Sequence, residues 1–299
     1  MTGAIAFGFE SDTSSSNITT SGFGMEDSEI NFAVSEDIEG LGKLTAGTGY
    51  AGGGRAVAVT TNDSFIAFTL ANGTKIKMAS ERGAEYLTGG IAGAGANFEA
   101  DLTYVTGILA RTNNDTVAVT IPVTDAVYFT YKHSEADVVI GTGSASNLVT
   151  PVQRYNTGVL GYKAGALVAE GQFRSYDNQV SNSTTYANTK NRFSVSYDLG
   201  VAKVGAGVDQ TNYTYGNTKT ATLVGATVPV GSLTLGVQML SVTAAGNSSS
   251  SSNYTRSGLL AGGMYSLSKR TYVTGQYYGG DVGGTSNQTG YLFSLYNTF

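Results

Sequence analysis

Hydrophobic residues alternate with small or polar residues along most of the chain. In residues 3–11, Ile5, Phe7 and Phe9 fall on one face of an extended strand, and small or polar residues fall on the other. A period of two residues is typical of β-strands with one apolar face. The pattern predicts 16 strands, at 3–11, 29–35, 43–50, 64–71, 75–80, 116–122, 126–132, 154–162, 166–176, 192–199, 201–208, 220–229, 232–240, 258–267, 271–278 and 290–299.

The connections between these segments alternate between short turns and long polar loops. Residues 71–74 (ANGT) form a short connection, and residues 177–191 form a long polar one. This alternation is typical of an up-and-down antiparallel barrel with a turn end and a loop end. No linker or change of composition divides the chain, so residues 1–299 are predicted to form a single domain. A soluble β-sandwich or propeller is the alternative, because its strands also alternate.

Two features favour a membrane barrel over the soluble alternative. The polar face is rich in Gly, Ala, Ser and Thr rather than in Lys and Glu, as expected of a lumen. Aromatic residues lie near many strand ends on the predicted apolar face, as in an interfacial girdle. These aromatic residues are Phe9, Tyr50, Tyr131, Tyr162, Tyr176, Tyr197, Tyr265 and Tyr278.

Composition narrows the possible functions further. Charged residues make up 13% of the chain, against about 25% in typical soluble domains. With no Cys and one His, disulfide scaffolds, zinc fingers and iron–sulfur sites are excluded. The formal net charge of −5 argues against a nucleic-acid partner. The sequence therefore predicts an all-β, 16-stranded antiparallel transmembrane barrel.

Several segments resemble the general diffusion porins of Gram-negative bacteria, especially the betaproteobacterial type. They are SEDIEGLGKLTAG, RTNNDTVAVTIP, TGVLGYKAGALVAEGQF, YSLSKRTYVTGQY and the terminal Phe299. The resemblance implies a homotrimer in the bacterial outer membrane, in contact with membrane lipid and lipopolysaccharide. It also implies a water-filled channel for passive diffusion of small hydrophilic solutes and ions, with no cofactor.

The same resemblance assigns the segment between Arg82 and Arg111 to an inward-folded third loop. Sixteen strands enclose a lumen that wall side chains cannot close, and this loop, about residues 83–110, would narrow it. Its Gly- and Ala-rich centre, 89–95, allows close approach to the wall. The predicted acidic side of the constriction is Glu85, Glu99 and Asp101. An ordinary exposed loop with solvated carboxylates is the alternative.

Basic residues are predicted on the facing wall. If Ile76 and Met78 face lipid, alternation turns Lys75 and Lys77 into the lumen. Charges on the lipid face are costly at mid-depth, so an inward or rim position is expected. The predicted basic side is Lys75, Lys77, Arg82, Arg111, Lys132 and Arg174, with Lys203 also inward. Any one of these could instead lie solvated at a strand end.

One feature departs from the resemblance. General porins usually carry an arginine cluster on the early strands, but here Glu29 occupies the similar position and Glu10 also faces inward. These acidic wall residues, with the net charge of −5, suggest a pore that is less selective for anions. We therefore expect neutral or cationic solutes to be preferred.

Two alternative functions stay open at this stage. An outer-membrane barrel enzyme, similar to a lipase or protease, would have to use His133, but its neighbour Ser134 points to the opposite face of a strand. A structural or adhesive surface protein would suit the Ser-, Thr- and Asn-rich loops. The carboxylates of Glu26, Asp27 and Glu29, and of residues 36–39, are predicted at the rim, where oxygen ligands could hold Ca²⁺ or Mg²⁺ weakly.

Overall fold

The computed structural model describes residues 1–14, 16–52, 60–82, 113–136, 153–177, 187–213, 216–246, 253–281 and 287–299. Within these ranges the chain forms β-strands joined by turns. The strands are β1 (Thr2–Thr13), β2 (Thr19–Ile38), β3 (Gly42–Ala51), β4 (Thr60–Leu70), β5 (Lys75–Arg82), β6 (Asn113–Pro122), β7 (Val127–Ala136), β8 (Gln153–Ala164), β9 (Leu167–Asp177), β10 (Ala187–Asp198), β11 (Lys203–Tyr213), β12 (Thr218–Val230), β13 (Leu233–Ala245), β14 (Tyr254–Ser266), β15 (Thr271–Asp281) and β16 (Asn287–Thr298).

The 16 strands form one closed antiparallel barrel in which each strand pairs with its neighbours in sequence. The ring closes between β1 and β16, whose pairing runs from Ala4 and Thr298 to Thr13 and Thr289. The final residue extends this seam, because Gly3 and Phe299 exchange two backbone hydrogen bonds of 3.0 Å. Closure satisfies the backbone polar groups that an open sheet would leave at its edges.

The predicted strand number and antiparallel order are confirmed, but several strands are longer than the alternation predicted. β2 begins at Thr19, whereas the sequence pattern places its start at residue 29. Residues 19–28 are polar on much of both faces, so they carry little apolar signal. They still pair with β1 through backbone hydrogen bonds, which depend on the neighbouring strand rather than on side-chain polarity.

The two faces of the barrel differ strongly in exposure. On β13, Met239 is 56% exposed on the outer face, whereas the adjacent Leu240 is 1% exposed on the inner face. Large apolar residues cover the outside, as at Phe7, Phe293 and Leu295. No helix among the described residues is long and apolar enough to cross a membrane.

Two of the predicted girdle residues face the other way. Tyr176 lies on the same face of β9 as Arg174, and the two side chains are hydrogen-bonded. Tyr278 is buried inside the barrel and donates a hydrogen bond of 2.9 Å to Glu10. The prediction that both lie on the apolar face is therefore wrong. Every second side chain of a strand points into the barrel, and these two tyrosines occupy such positions.

Glycine enables two of the tightest turns. Gly165 and Gly231 each begin a two-residue connection, between β8 and β9 and between β12 and β13. Their φ angles are 54° and 63°, in the left-handed region that glycine adopts without steric cost. These turns set the pairing register of the strands that they join.

Candidate functional site: the charged inner wall

Five basic side chains form a continuous row across the inner wall. Starting from Lys77 on β5, the pairing leads to Lys132 on β7, Arg174 on β9, Lys190 on β10 and Lys219 on β12. Small or neutral residues of β6, β8 and β11 occupy the positions between them. Directly paired residues point to the same face of a sheet, so the row is a single basic strip inside the barrel.

The outer neighbours of the row establish which face is inside. Ile76 and Met78 are 41% and 54% exposed on the outside of β5. Lys75 and Lys77 therefore lie on the inner face, as the alternation predicts. Lys203 also lies inside, paired with Asp198 near the turn end of β10 and β11.

Ion pairs form at two places on or beside this strip. Arg192 on β10 donates hydrogen bonds of 2.9 and 2.7 Å to Asp209 on β11. Lys190 lies 3.5 Å from the same carboxylate oxygen. On β5, Lys77 pairs with Glu81. The Arg192 and Asp209 side chains are 7% and 4% exposed, so this pair is held out of solvent within the wall.

An acidic strip lies on the inner face of β1 and β2. The described contacts of four of its carboxylates come from neutral donors: Tyr278 to Glu10, Gln288 to Asp12, Ser294 to Glu26, and Asn62 to Glu29. Hydrogen bonds from neutral groups hold a carboxylate in place and leave its charge intact. The strip, which also contains Asp27, is therefore a concentrated negative surface.

A β-bulge adds one of these carboxylates to the inner face. Ala6 pairs with Asp27 and Phe7 pairs with Met25, so Glu26 is the extra residue of β2. Its side chain lies over Gly8, where a Cβ atom would collide with the Glu26 carboxylate. The absence of a side chain at Gly8 is what makes room for Glu26 against the wall.

The acidic and basic strips lie on opposite sides of the lumen. In the ring of 16 strands, β9 and β10 are eight strands away from β1 and β2. Arg174, Lys190 and Arg192 therefore face the acidic strip across the barrel. This separation produces an electric field across the lumen, which charges on neighbouring strands would largely cancel.

Several predicted site residues fall outside the described structure. Glu85, Glu99, Asp101 and Arg111 lie outside the described residues, and for Arg82 only the backbone, at the end of β5, is described. The described predicted residues Lys75, Lys77, Lys132, Arg174, Glu10 and Glu29 all lie on the inner face. Their role at a constriction stays a prediction.

Sequence reasoning missed other charged wall residues. Alternation alone could have found Lys190, Arg192, Asp209, Lys219 and Arg256, since each shares the inward phase of its strand. They were missed because four of them lie one or two residues outside the predicted strands, and Arg192 is the first residue of one. The predicted strands concerned are 192–199, 201–208, 220–229 and 258–267. Glu26 could not have been found this way, because a bulge breaks the period of two.

The carboxylates of residues 26–29 do not lie at the rim. They occupy the interior of β2, which runs from Thr19 to Ile38, so the predicted rim location is wrong for this cluster. Within the described ranges, no group of three or more His, Cys, Asp or Glu side chains has a geometry that could hold a metal ion.

His133 lies on the outer face, away from the charged lumen. Its Nδ1 is 2.9 Å from the Oδ1 of Asn156, and its Nε2 is 3.7 Å from the Oε1 of Glu135. Ser134 is buried on the inner face and hydrogen-bonds Thr116. The two side chains therefore project to opposite sides of the sheet and do not form a nucleophile–base pair.

Comparison with solved structures shows that the fold of the chain is similar to that of porins. OmpF of Salmonella typhi, solved with daunomycin, superposes with a TM-score of 0.74 at 10% identity, covering 100% of this chain and 97% of OmpF. A loop-deletion form of OmpT, an outer membrane protein of Vibrio cholerae, gives 0.68 at 14% identity, covering 100% and 99%. A mutant of the Rh. blastica porin gives 0.66 at 12%, covering 100% and 99%.

Sequence comparisons add no closer relative, because neither the protein-family models nor the curated proteins give a match. At 10–14% identity, the structural likeness establishes the fold alone. The chain has the 16-stranded closed barrel fold of the outer-membrane porins.

Proposed function

We propose that the protein forms a water-filled channel for passive diffusion of small hydrophilic solutes and ions. One observation carries this proposal: a closed ring of 16 strands carries charged strips on its inner face. Sixteen strands about 4.8 Å apart and tilted by about 35–45° give a barrel roughly 30 Å across. Wall side chains cannot fill such a lumen, and its charges favour water inside it.

The outer surface supports a location in the bacterial outer membrane. Large apolar residues such as Phe9, Phe173, Phe193 and Met239 are exposed on it. A soluble monomer rarely exposes so continuous an apolar surface, whereas a barrel surrounded by lipid requires it. We expect membrane lipid and lipopolysaccharide to cover this apolar outer surface.

We further propose that residues 83–110 fold into the lumen, with Glu85, Glu99 and Asp101 on the acidic side. Support comes from the inner wall of β12–β14, where Leu223, Leu240 and Leu260 are at most 1% exposed. Outward residues of the same strands, such as Met239, remain well exposed. Burial of these leucines is what a segment packed against this wall would produce, and residues 83–110 form the longest candidate segment.

The absence of Cys makes the loop proposal testable by labelling. We expect Leu240→Cys to resist a water-soluble thiol reagent and Asn72→Cys, in the exposed turn between β4 and β5, to react, in otherwise unaltered protein. Deleting residues 89–95 should increase the conductance and expose the Cys at position 240. If the deletion changes neither property, another segment covers the wall.

The proposed assembly is a homotrimer, and the chain acts as one unit from residue 1 to 299. Support comes from the sequence resemblance to betaproteobacterial porins and from Vibrio cholerae OmpT, which is described in a trimer form and superposes with a TM-score of 0.68.

The acidic strip of β1 and β2 supports a pore that is less selective for anions than its relatives. Reversal potentials in a salt gradient test that preference, and a clear anion preference would contradict it.

Single-channel recording of detergent-extracted protein in a planar bilayer tests the function. Stepwise conductance is expected, with steps in groups of three for a trimer. Folding is checked independently by β-type circular dichroism and by altered gel migration after heating. Folded protein that produces no steps would exclude a diffusion channel and favour a structural surface protein.

A further inference from the structure

A groove on the outer face of the barrel crosses β12 to β16, in the half of these strands nearer the long loops. Its volume is about 490 Å³, and small-molecule sites usually measure roughly 300–1,000 Å³. Its outward lining includes Thr222, Ser241 and Ser257 in one row of paired residues, and Val224, Met239 and Leu259 in the next row. We call this feature the outer groove.

The outer groove lies at a sharp change of polarity. Ser241 and Ser257 pair with each other, and the next row toward the turn end pairs Met239 with Leu259. Met239 and Leu259 are 56% and 36% exposed on the outside, and both serines are exposed as well. Two residues of a strand span roughly 7 Å, so the surface changes from hydroxyl groups to hydrocarbon within that distance. A lipid makes the same change where its acyl chains meet the polar interfacial layer.

Tyr277 places a further hydroxyl group at this boundary. A Cβ atom on Gly279 would lie 2.9 Å from the Tyr277 hydroxyl oxygen, so the Tyr277 ring extends along β15 toward the long loops. Tyrosine, with an apolar ring and a polar tip, is favoured at membrane interfaces. Because Gly279 has no side chain, the floor of the outer groove stays open between Leu259 and Thr289, with which it pairs.

The outer groove carries little charge. Among its described lining residues only Asp281 is charged, and a carboxylate does not attract a lipid phosphate. The outer face of β6 to β9 is different, because Asp115, Glu135, Arg154 and Asp177 form one row of paired residues there. The outer groove therefore suits the uncharged part of a lipid, which is the acyl chain with its ester or amide group.

We infer that the outer groove binds one acyl chain of a membrane lipid, together with the ester or amide group that carries the chain. The chain packs between Met239 and Leu259, and it gains more dispersion contacts in a groove than on a flat wall. The hydroxyl groups of Ser241 and Ser257 donate hydrogen bonds to the ester or amide carbonyl, where low hydration makes such bonds stronger than in water. The outer groove therefore retains a lipid more tightly than the rest of the outer surface. The inference rests on the proposed membrane location and not on channel activity.

The absence of Trp from the chain allows a single introduced Trp to report on bound lipid. Tyr291→Trp places the reporter beside the outer groove, because Tyr291 pairs with Tyr277 and is 51% exposed. Tyr131→Trp is the matched control, at an outward tyrosine of β7 that is 47% exposed. Phosphatidylcholine with brominated acyl chains quenches Trp fluorescence on contact. In detergent, we expect Tyr291→Trp to be half-quenched at a lipid-to-detergent ratio about tenfold lower than Tyr131→Trp.

Two further variants of β13 test whether the lipid lies in the outer groove. Ser241→Phe fills the groove, whereas Thr243→Phe adds the same ring two residues farther along the outward face, outside the groove lining. Combined with Tyr291→Trp, the first should remove the preference over the Tyr131→Trp control, and the second should keep it. Both sites are exposed on the outside, so the inner wall stays unchanged, and circular dichroism checks that each variant is folded.

Equal quenching of Tyr291→Trp and Tyr131→Trp at every lipid ratio would refute the lipid site. An equal effect of Ser241→Phe and Thr243→Phe would also refute it.

Vesicles made wholly of the brominated lipid test what covers the outer groove. If Tyr131→Trp is quenched there and Tyr291→Trp is not, protein such as a second copy of the chain covers the groove, and the lipid site is wrong. If neither reporter is quenched, the proposed membrane location fails together with the lipid site. Preferential quenching of Tyr291→Trp in protein that gives no conductance steps would refute the channel and retain the lipid site.

Discussion

The Arg192–Asp209 pair offers a direct test of how the inner wall is stabilised. Asp209 accepts two hydrogen bonds from Arg192 and lies 3.5 Å from Lys190. The variant Asp209→Asn keeps the shape and one oxygen acceptor but removes the charge. It would leave two cations side by side, with Arg192 largely buried in the wall.

The magnitude follows from burial and distance. Opposite charges about 4 Å apart attract by roughly 4 kcal/mol at an effective dielectric constant of about 20. Removing one partner of a buried pair typically costs about 3–5 kcal/mol, because the other charge remains desolvated. Since Asn retains one acceptor, we expect the free energy of unfolding to fall by about 3 kcal/mol, more than a hundredfold in the unfolding equilibrium.

A second variant, at Arg192, should cost less stability than the variant at Asp209. Arg192→Met removes one cation but leaves Asp209 beside Lys190, at 3.5 Å. The carboxylate therefore keeps a charged partner, and we expect a smaller loss of about 1–2 kcal/mol. Asp177→Asn, at an exposed carboxylate at the end of β9, serves as the control and should change stability by less than about 0.5 kcal/mol.

Urea unfolding in phospholipid vesicles measures these differences. The chain has 19 Tyr and no Trp, so intrinsic tyrosine fluorescence reports on the unfolding of the whole barrel. If Asp209→Asn costs no more than Asp177→Asn, the pair is not held out of water and the electrostatic argument fails. If Arg192→Met costs more than Asp209→Asn, the carboxylate is not the shared centre of the group.

Two further predictions concern a glycine and an acidic wall residue. Gly161→Ala should destabilise the barrel by about 1–3 kcal/mol in urea unfolding, because its methyl group would collide with the Tyr128 ring, whose hydroxyl donates to Glu170 at 2.9 Å. Gly171→Ala meets no atom within 4 Å, so an equal loss there would contradict the steric argument. Glu29→Gln should lower the cation-to-anion permeability ratio about twofold. After screening, a charge about 8 Å away favours a passing cation by roughly 0.2 kcal/mol and disfavours an anion by the same amount, about 0.4 kcal/mol in the ratio. Reversal potentials measure that ratio, and an unchanged value would place Glu29 away from the ion path.

The alternation of apolar and polar side chains predicts most of the fold. It places Phe7 outside and Ala6 inside β1 without reference to any other strand, because the period of two is a local property of extended backbone. For the same reason it places Lys75 and Lys77 on the inner face. It places the ends of strands poorly, as at Thr19, because pairing of polar segments depends on a neighbour.

The sequence alone predicts the number of strands, their antiparallel order and the inward orientation of the charged residues that lie within the predicted strands. The three-dimensional arrangement of the strands brings Arg192 to Asp209, places Arg174 in one row with Lys77, and turns Glu26 inward. These relations depend on register, which is set by turns, bulges and closure of the whole ring. A period of two contains no information about which residue of one strand lies beside which residue of the next.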